Sequence, residues 1–285
     1  MKDCMMKTLQ LGQMQAHYRD KGSGTPVLLV HCSSGSHRQW AFLEADLGGG
    51  YRILAPDLLG YGTSTPWPET GNAPADRDLD VVMALIETAD RPVHLIGHSY
   101  GGALCLDAAR LHVERGTGAV ASLFLIEPVA FQLLKDSRPK DWQTISGVAR
   151  NCIDRVGAGK PKQAANAYMG FWLGPLKWRL SPKRFREEVI RTVHKVAHEF
   201  RGVFELETTA DDYRAVDCPV TLVRGGRSPR PAAAVVDVLT EILPGAQVKD
   251  IPSAGHMSPF THKKDVTALV LGHLARTAGQ NRGAT

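Results

Sequence analysis

Short apolar runs alternate along the chain with stretches that are apolar on one face only. Lys7 to Leu11 and Met14 to Arg19 read as two short strands, and Val27-Leu28-Leu29-Val30 is apolar at every position, as in a strand covered on both faces. Tyr51 to Pro56, Val93 to Ile96, Ala121 to Ile126, Val220 to Val223 and Gln247 to Ile251 add five more strands. Helical spacing intervenes: Leu79, Val82, Met83 and Ile86 share one face, as do Val266, Leu269, Val270 and Leu274 within Asp265 to Leu274. Val235 to Leu243 reads as another helix, and a further one is expected from near Ser36 through Trp40 and Phe42 to Leu47. Such alternation predicts an α/β fold: a mostly parallel eight-stranded sheet with helices on both faces.

The rhythm breaks once. Between the runs ending at Ile126 and beginning at Pro219 lie about ninety residues without a strand signal, too long for a plain crossover. Trp142 to Val156, Lys162 to Trp172 and Pro182 to Phe204 read there as helices, with Tyr168, Phe171, Trp172 and Trp178 among their aromatics. The expected organisation is a core of residues 1–127 and 218–285 carrying a helical cap, 128–217, between the sixth and seventh strands. Lys177 to Arg186 is the chain's one local cationic excess, read as a solvated face of the cap.

The strand signal at Val93 turns into a helix, Tyr100 to Arg110, almost without a connection, and Ser99 sits at the join. In Gly97-His98-Ser99-Tyr100-Gly101-Gly102, the glycines are the residues that so sharp a reversal needs, and a serine there would hold its hydroxyl at the tip of a strained turn. The segment resembles the nucleophile elbow of the α/β-hydrolase superfamily.

That resemblance extends to other landmarks. His31-Cys32-Ser33 follows the third strand where the family commonly has His-Gly and then a residue whose backbone N–H forms half of the oxyanion hole; it implies Ser33 and Tyr100 as the two donors. Cys32 replaces the glycine, which either narrows the approach of an acyl group or marks a backbone that needs no positive φ. As a nucleophile Cys32 lacks any elbow. The hydroxyls of Ser33 and Ser34 serve either the oxyanion or the cap of the following helix. Asp57 to Ser64 resembles the family's D-x-x-G-x-G-x-S turn, which makes Asp57 structural. Gly255-His256 resembles the histidine loop after the last strand, so His256 is the expected base. The acid is displaced: the family's usual place falls near Arg227-Ser228-Pro229, which holds no carboxylate, whereas Glu127 ends the sixth strand, where some members carry it. Asp57, Asp211, Asp212 and Asp237 are the competing acids. The resemblance implies catalytic Ser99, His256 and Glu127, with Ser34, Trp40, Phe131, Trp172 and Met257 as substrate-binding candidates.

The 285 residues carry a formal charge of +5 spread among acids, which argues against a nucleic-acid site. Five cysteines without a C-x-x-C pair read as reduced thiols, and no apolar run reads as a signal peptide or membrane span, so a cytoplasmic protein is expected. Neither metal nor cofactor spacing is present; the expected partner is a small-molecule substrate, and the expected state a monomer or homodimer. The implied activity is hydrolysis of a small or medium carboxylic ester through an acyl-enzyme on Ser99. Carbon–carbon bond hydrolysis, perhydrolysis and a ligand-binding homologue without turnover are the alternatives.

Overall fold

A computed structural model describes residues 5–68, 77–243 and 245–280. Eight strands form one sheet: β1 (Met5–Leu11), β2 (Met14–Gly22), β3 (Thr25–Val30), β4 (Tyr51–Pro56), β5 (Val93–His98), β6 (Val120–Ile126), β7 (Val220–Gly225) and β8 (Gln247–Ile251), in the order β1-β2-β4-β3-β5-β6-β7-β8. β2 runs antiparallel to both β1 and β4, and every pairing from β4 to β8 is parallel. The helices are α1 (Arg77–Glu87), α2 (Tyr100–Glu114), α3 (Leu134–Ser137), α4 (Pro139–Gly157), α5 (Pro161–Leu173), α6 (Pro175–Leu180), α7 (Lys183–Glu205), α8 (Ala210–Arg214), α9 (Arg230–Ile242), α10 (Ser258–Thr261) and α11 (Lys263–Gln280).

The central strands have two apolar faces because successive side chains point to opposite sides of a sheet. Leu28, Leu54, Leu95, Leu123 and Leu222 face one core with residues of α1, α2 and α9. Their neighbours Val27, Ile53, Ile96, Phe124 and Val223 face the other, against Trp40, Leu43 and the Val266, Val270 and Leu274 stripe of α11. Helices α3 to α8 all fall between β6 and β7. Within that insert α4, α5 and α7 pack on one another, and Ile145, Ala149, Cys152, Ala164, Val189, Val193 and Val196 join the first core.

Two expectations fail next to β3. The helix expected from Ser36 to Leu47 is a single 3-10 turn, His37–Trp40, followed by turns. Local polar demands set that shape: Gln39 Oε1 accepts the Cys32 N–H at 3.1 Å, and the His37 N–H goes to Asp57 Oδ1 at 2.8 Å. Trp40, expected in the pocket wall, is instead wholly buried among Leu43, Ile126 and Val270 on the other face of the sheet. The tight turn aims its indole at the core, where a bulky apolar ring gains most.

Candidate active site

Ser99 takes φ 56°, ψ −119°, a backbone conformation that costs a non-glycine residue on the order of 1–3 kcal/mol and persists only where its surroundings impose it. Here β5 meets α2 with no spare space. A Cβ on Gly97 would lie 2.5 Å from the Gly101 carbonyl oxygen, and one on Gly101 would lie 2.5 Å from that of Val30 and collide with that of His31. Hydrogen bonds hold the bend, with the Ser99 N–H donating to the Ile126 carbonyl at 2.9 Å and the Ser99 carbonyl accepting the Ala103 N–H at 3.1 Å.

Three side chains from three strand ends meet at this bend. Ser99 Oγ donates to His256 Nε2 at 2.9 Å, and His256 Nδ1 donates to Glu127 Oε2 at 2.7 Å. All three are buried, at 4%, 3% and 1% exposure for Ser99, His256 and Glu127. Glu127 is itself at φ 42°, its N–H donating to the Val223 carbonyl at 3.0 Å and its Oε1 accepting the Gly225 N–H at 2.7 Å. Trp172 of α5 stacks on the His256 ring at 3.9 Å, and the His256 carbonyl accepts His98 Nε2 at 2.8 Å. Burial, helped by the neighbouring His256, drives the His98 pKa well down, so His98 is neutral and donates through Nε2 while Gln39 Nε2 donates to its Nδ1 at 3.2 Å.

Ser33 and Tyr100 line a narrow recess beside Ser99 with Val129, Phe131, Tyr168, Trp172, Val196 and Glu199. Tyr100 is the first residue of α2, so its N–H is one of the orphan donors of a helix start. Neither serine hydroxyl caps a helix. Ser33 Oγ donates to Glu199 Oε2 at 2.5 Å, and Ser34 Oγ accepts Thr192 Oγ1 at 2.8 Å, both bonds running to α7. Ser34 and Met257 line the main cavity, of about 580 Å³, while Trp172 borders both spaces and Phe131 only the recess.

The remaining sequence candidates are occupied elsewhere. Cys32 is buried, its thiol pushed up to about 12 mainly by desolvation, so no thiolate is available at neutral pH. Its backbone needs no positive φ; that demand falls on Ser34 at 56°. Asp57 binds the His37 ring and the Thr63 N–H; burial works to raise its pKa, but these hydrogen bonds outweigh it and hold the carboxyl well below the usual range. Asp237 pairs with Arg224 and Arg230, and Asp212 caps α8 through Thr209. Histidines outside those candidates are engaged as well: His31 Nε2 accepts the Leu58 N–H, His94 bonds Ser122, His17 meets Thr63 and His194 meets the Trp67 carbonyl. Among the described residues no cluster of three His, Cys, Asp or Glu side chains is placed to hold a metal ion, and no helix is long and apolar enough to cross a membrane.

Sequence reasoning missed an ionic cluster behind the recess. Lys195 Nζ of α7 donates to Asp78 Oδ2 of α1 and, at 3.2 Å, to Glu199 Oε1. Tyr61 OH donates to Glu199 Oε1 at 2.5 Å, and Tyr100 OH and the Leu59 N–H donate to Asp78 at 3.0 Å each. The ammonium also lies 4.2 Å from the centre of the Trp67 ring. Burial opposes the charge on Lys195, but Asp78 and Glu199 outweigh it and raise the Lys195 pKa; burial raises that of Glu199, one of two carboxylates sharing a single cation. A signal did exist in α7, where Lys195 and Glu199 lie four residues apart beside the apolar Val189, Val193, Val196, Phe200 and Val203.

A nucleophile elbow on a mostly parallel sheet, with a histidine after the last strand, is the arrangement of one large class of proteins. The model of the alpha/beta hydrolase family matches residues 27–269, and the chain belongs to that family. A Variovorax paradoxus protein assigned as the carbamate hydrolase RutD is 28% identical over 281 residues, covering 93% of this chain and 98% of that one. A 104-residue match at 39% identity joins it to the dihydrolipoyllysine-residue acetyltransferase component of the acetoin cleaving system of Pseudomonas putida; it covers 36% of this chain and spans about a quarter (26%) of that longer protein. Among solved structures, the esterase from Exiguobacterium antarcticum superposes with a TM-score of 0.75 at 17% identity, covering 95% of this chain and all (100%) of the other, a likeness of fold.

Proposed function

We propose that the chain is a serine hydrolase that cleaves a carboxylic ester through an acyl-enzyme on Ser99. The observation that carries this reading is the unbroken hydrogen-bond chain from Ser99 Oγ through both nitrogens of His256 to Glu127. A neutral hydroxyl is a weak nucleophile until a base takes its proton in the attack. His256 Nε2 is in reach of that proton, and a carboxylate on Nδ1 fixes the tautomer and stabilises the imidazolium that forms.

Attack on the ester carbonyl forms the Ser99 Oγ–C bond and moves the carbonyl electron pair onto oxygen. The Ser33 and Tyr100 N–H groups take up the oxyanion, each such donor contributing on the order of 3 kcal/mol. Collapse expels the alcohol, protonated by His256. Water, activated by the same ring, then releases the acid and returns the proton to Ser99. Trp172 keeps the imidazole plane fixed by stacking, and the apolar walls at Phe131, Met257 and Trp172 suit a small or medium acyl or alcohol group. Residues 128–217 serve in this reading as the cap that closes the cavity.

Hydrolysis of p-nitrophenyl esters of graded acyl length tests the proposal. Turnover is expected in the wild type and absent in Ser99→Ala, and Glu127→Gln, which keeps the shape but favours the wrong tautomer, is expected to lower kcat by about 10³–10⁴-fold. A wild type with no turnover and no labelling of Ser99 by a fluorophosphonate refutes the serine-hydrolase reading. Labelling without ester turnover redirects the search to carbon–carbon bonds.

A further inference from the structure

The main cavity is not neutral. Its wall includes three strongly basic side chains, Arg38, Arg184 and Lys263, all exposed at the mouth. Two carboxylates share that wall, and both are spoken for: Asp57 by His37 and Thr63, and Glu188 by Arg191 at 2.6 Å. Arg38 and Arg184 have no ion pair or side-chain hydrogen bond among the described residues, and Lys263 meets only the Phe42 ring, 5.9 Å from its centre. The balance at the mouth is therefore positive, and all of it is free to act on a ligand.

Fold stability does not account for this placement. Arg184 lies in the first turn of the 23-residue helix α7, beside Lys183 and with no acid in that turn, where the helix dipole disfavours cations. Lys263 also opens a helix, α11, whose first turn does hold one acid, Asp265. The three residues come from separate parts of the chain, the turn after β3, the insert and the last helix, and converge only on this cavity. Arg184 also belongs to the Lys177–Arg186 excess that sequence reading treats as a solvated face.

We infer that the site selects esters bearing a carboxylate on the end that points to the cavity mouth, read by Arg38, Arg184 and Lys263. This rests on the serine-hydrolase reading for turnover but not for binding. A cavity of about 580 Å³ takes a small molecule, which sets a soluble carboxylate apart from a polyanion or a membrane surface. Cations lining a concave, low-dielectric wall raise the local concentration of such an anion and its on-rate.

Two matched ester pairs provide the test: monophenyl adipate against phenyl adipamate for the acyl side, and 4-carboxyphenyl butyrate against 4-carbamoylphenyl butyrate for the alcohol side. The carboxylate member of one pair is expected to show kcat/KM higher by about tenfold or more at low ionic strength, and the ratio to shrink as sodium chloride is added. In the triple variant Arg38→Gln, Arg184→Gln, Lys263→Gln the ratio should fall to near one, with thermal unfolding confirming that the exposed substitutions leave the fold intact. Equal rates within both pairs, or a preference that survives the triple variant, overturns the inference. Calorimetric titration with adipate separates the two readings. Saturable binding that the triple variant loses, in an enzyme that cleaves none of the esters, sinks the esterase reading and keeps the anion site; neither cleavage nor binding overturns the anion site as well.

Discussion

Replacing Lys195 by methionine removes the single cation from a cluster holding two carboxylates. Side-chain exposure is 2% for Lys195, 1% for Asp78 and 5% for Glu199, so water cannot replace the ammonium. Methionine nearly preserves the volume, which leaves the charge as the main change. Two bare buried carboxylates would be worse than one protonated one, so the variant is expected to fold with a proton on Glu199. Placing a proton at pH 7 on a carboxyl of ordinary pKa 4.5 costs about 3.4 kcal/mol, at 1.36 kcal/mol per pH unit. That agrees with the roughly 3–5 kcal/mol usual for breaking a buried ion pair from one side.

This origin gives the loss a pH signature. The unfolded chain releases the proton above pH 4.5 while the folded variant keeps it, so the variant's deficit grows with pH. At pH 5 the same cost is only about 0.7 kcal/mol. Urea unfolding of wild type and Lys195→Met at pH 5 and pH 7 reads both numbers, and adding Glu199→Gln to the variant should recover much of the loss at pH 7. A deficit under about 1 kcal/mol at pH 7, or one unchanged between the two pH values, refutes the idea of a charge cluster that needs its cation. Activity should suffer beyond stability, because Glu199 holds the Ser33 hydroxyl and Asp78 holds the Tyr100 hydroxyl.

Gly101→Ala should yield a destabilised, nearly inactive protein, since the new Cβ collides with the backbone carbonyl of His31, which has nowhere to move; soluble enzyme with native kcat and Tm would count against the packing described here. Acid should weaken the fold from about pH 6.5 downward: His94 and His273, joined through Ser122, have pKa values lowered by burial to about 4 and about 3, so their stabilisation is intact above pH 6.5 and is lost as pH falls toward those values. The expected slope is about 1.4 kcal/mol per pH unit for each histidine, and His273→Gln should flatten urea-derived stability between pH 6 and 4. Trp172→Ala should lower kcat more than it raises KM, by about tenfold from loss of the ring that fixes His256; an effect confined to KM would make Trp172 a substrate contact only.

What the sequence revealed and what it hid divide along physical lines. The strands from β3 to β7 were legible because apolar runs of four to six residues between helical stretches have few other uses. Ser99, Glu127 and His256 stood out because each follows a strand end, so that local pattern and family resemblance pointed the same way. Trp40 misled because sequence nearness to the Ser33 loop does not say to which side of the sheet a ring turns, and the 3-10 turn sends it to the far core. The Lys195, Asp78 and Glu199 cluster was invisible for another reason. Asp78 and Lys195 are 117 residues apart, and each alone reads as a charged residue on a helix; only packing α7 over α1 turns two surface-like charges into one buried pair. The same long-range convergence conceals the basic mouth.

In the proposed reading, the displaced acid makes good at one strand end what its neighbour lacks. In the resemblance drawn from sequence, the usual acid position follows β7 near Arg227-Ser228-Pro229, and this chain has no carboxylate there. β7 itself ends at Gly225, where nothing larger fits easily: a Cβ there would sit 2.7 Å from Ser228 Oγ and 2.8 Å from the Ala254 carbonyl. The bare backbone has a use, however, because its Gly225 N–H donates to Glu127 Oε1 and leaves Oε2 for His256. A charge-assisted bond of this kind fixes the position of the carboxylate. Glu127→Asp shortens the reach by one methylene, so the carboxylate can keep the Gly225 bond or the His256 bond but not both at 2.7 Å. Activity is therefore expected well below wild type, with a larger loss in kcat than in KM; a Glu127→Asp enzyme as fast as wild type would mean that the Gly225 amide has no part in placing the acid.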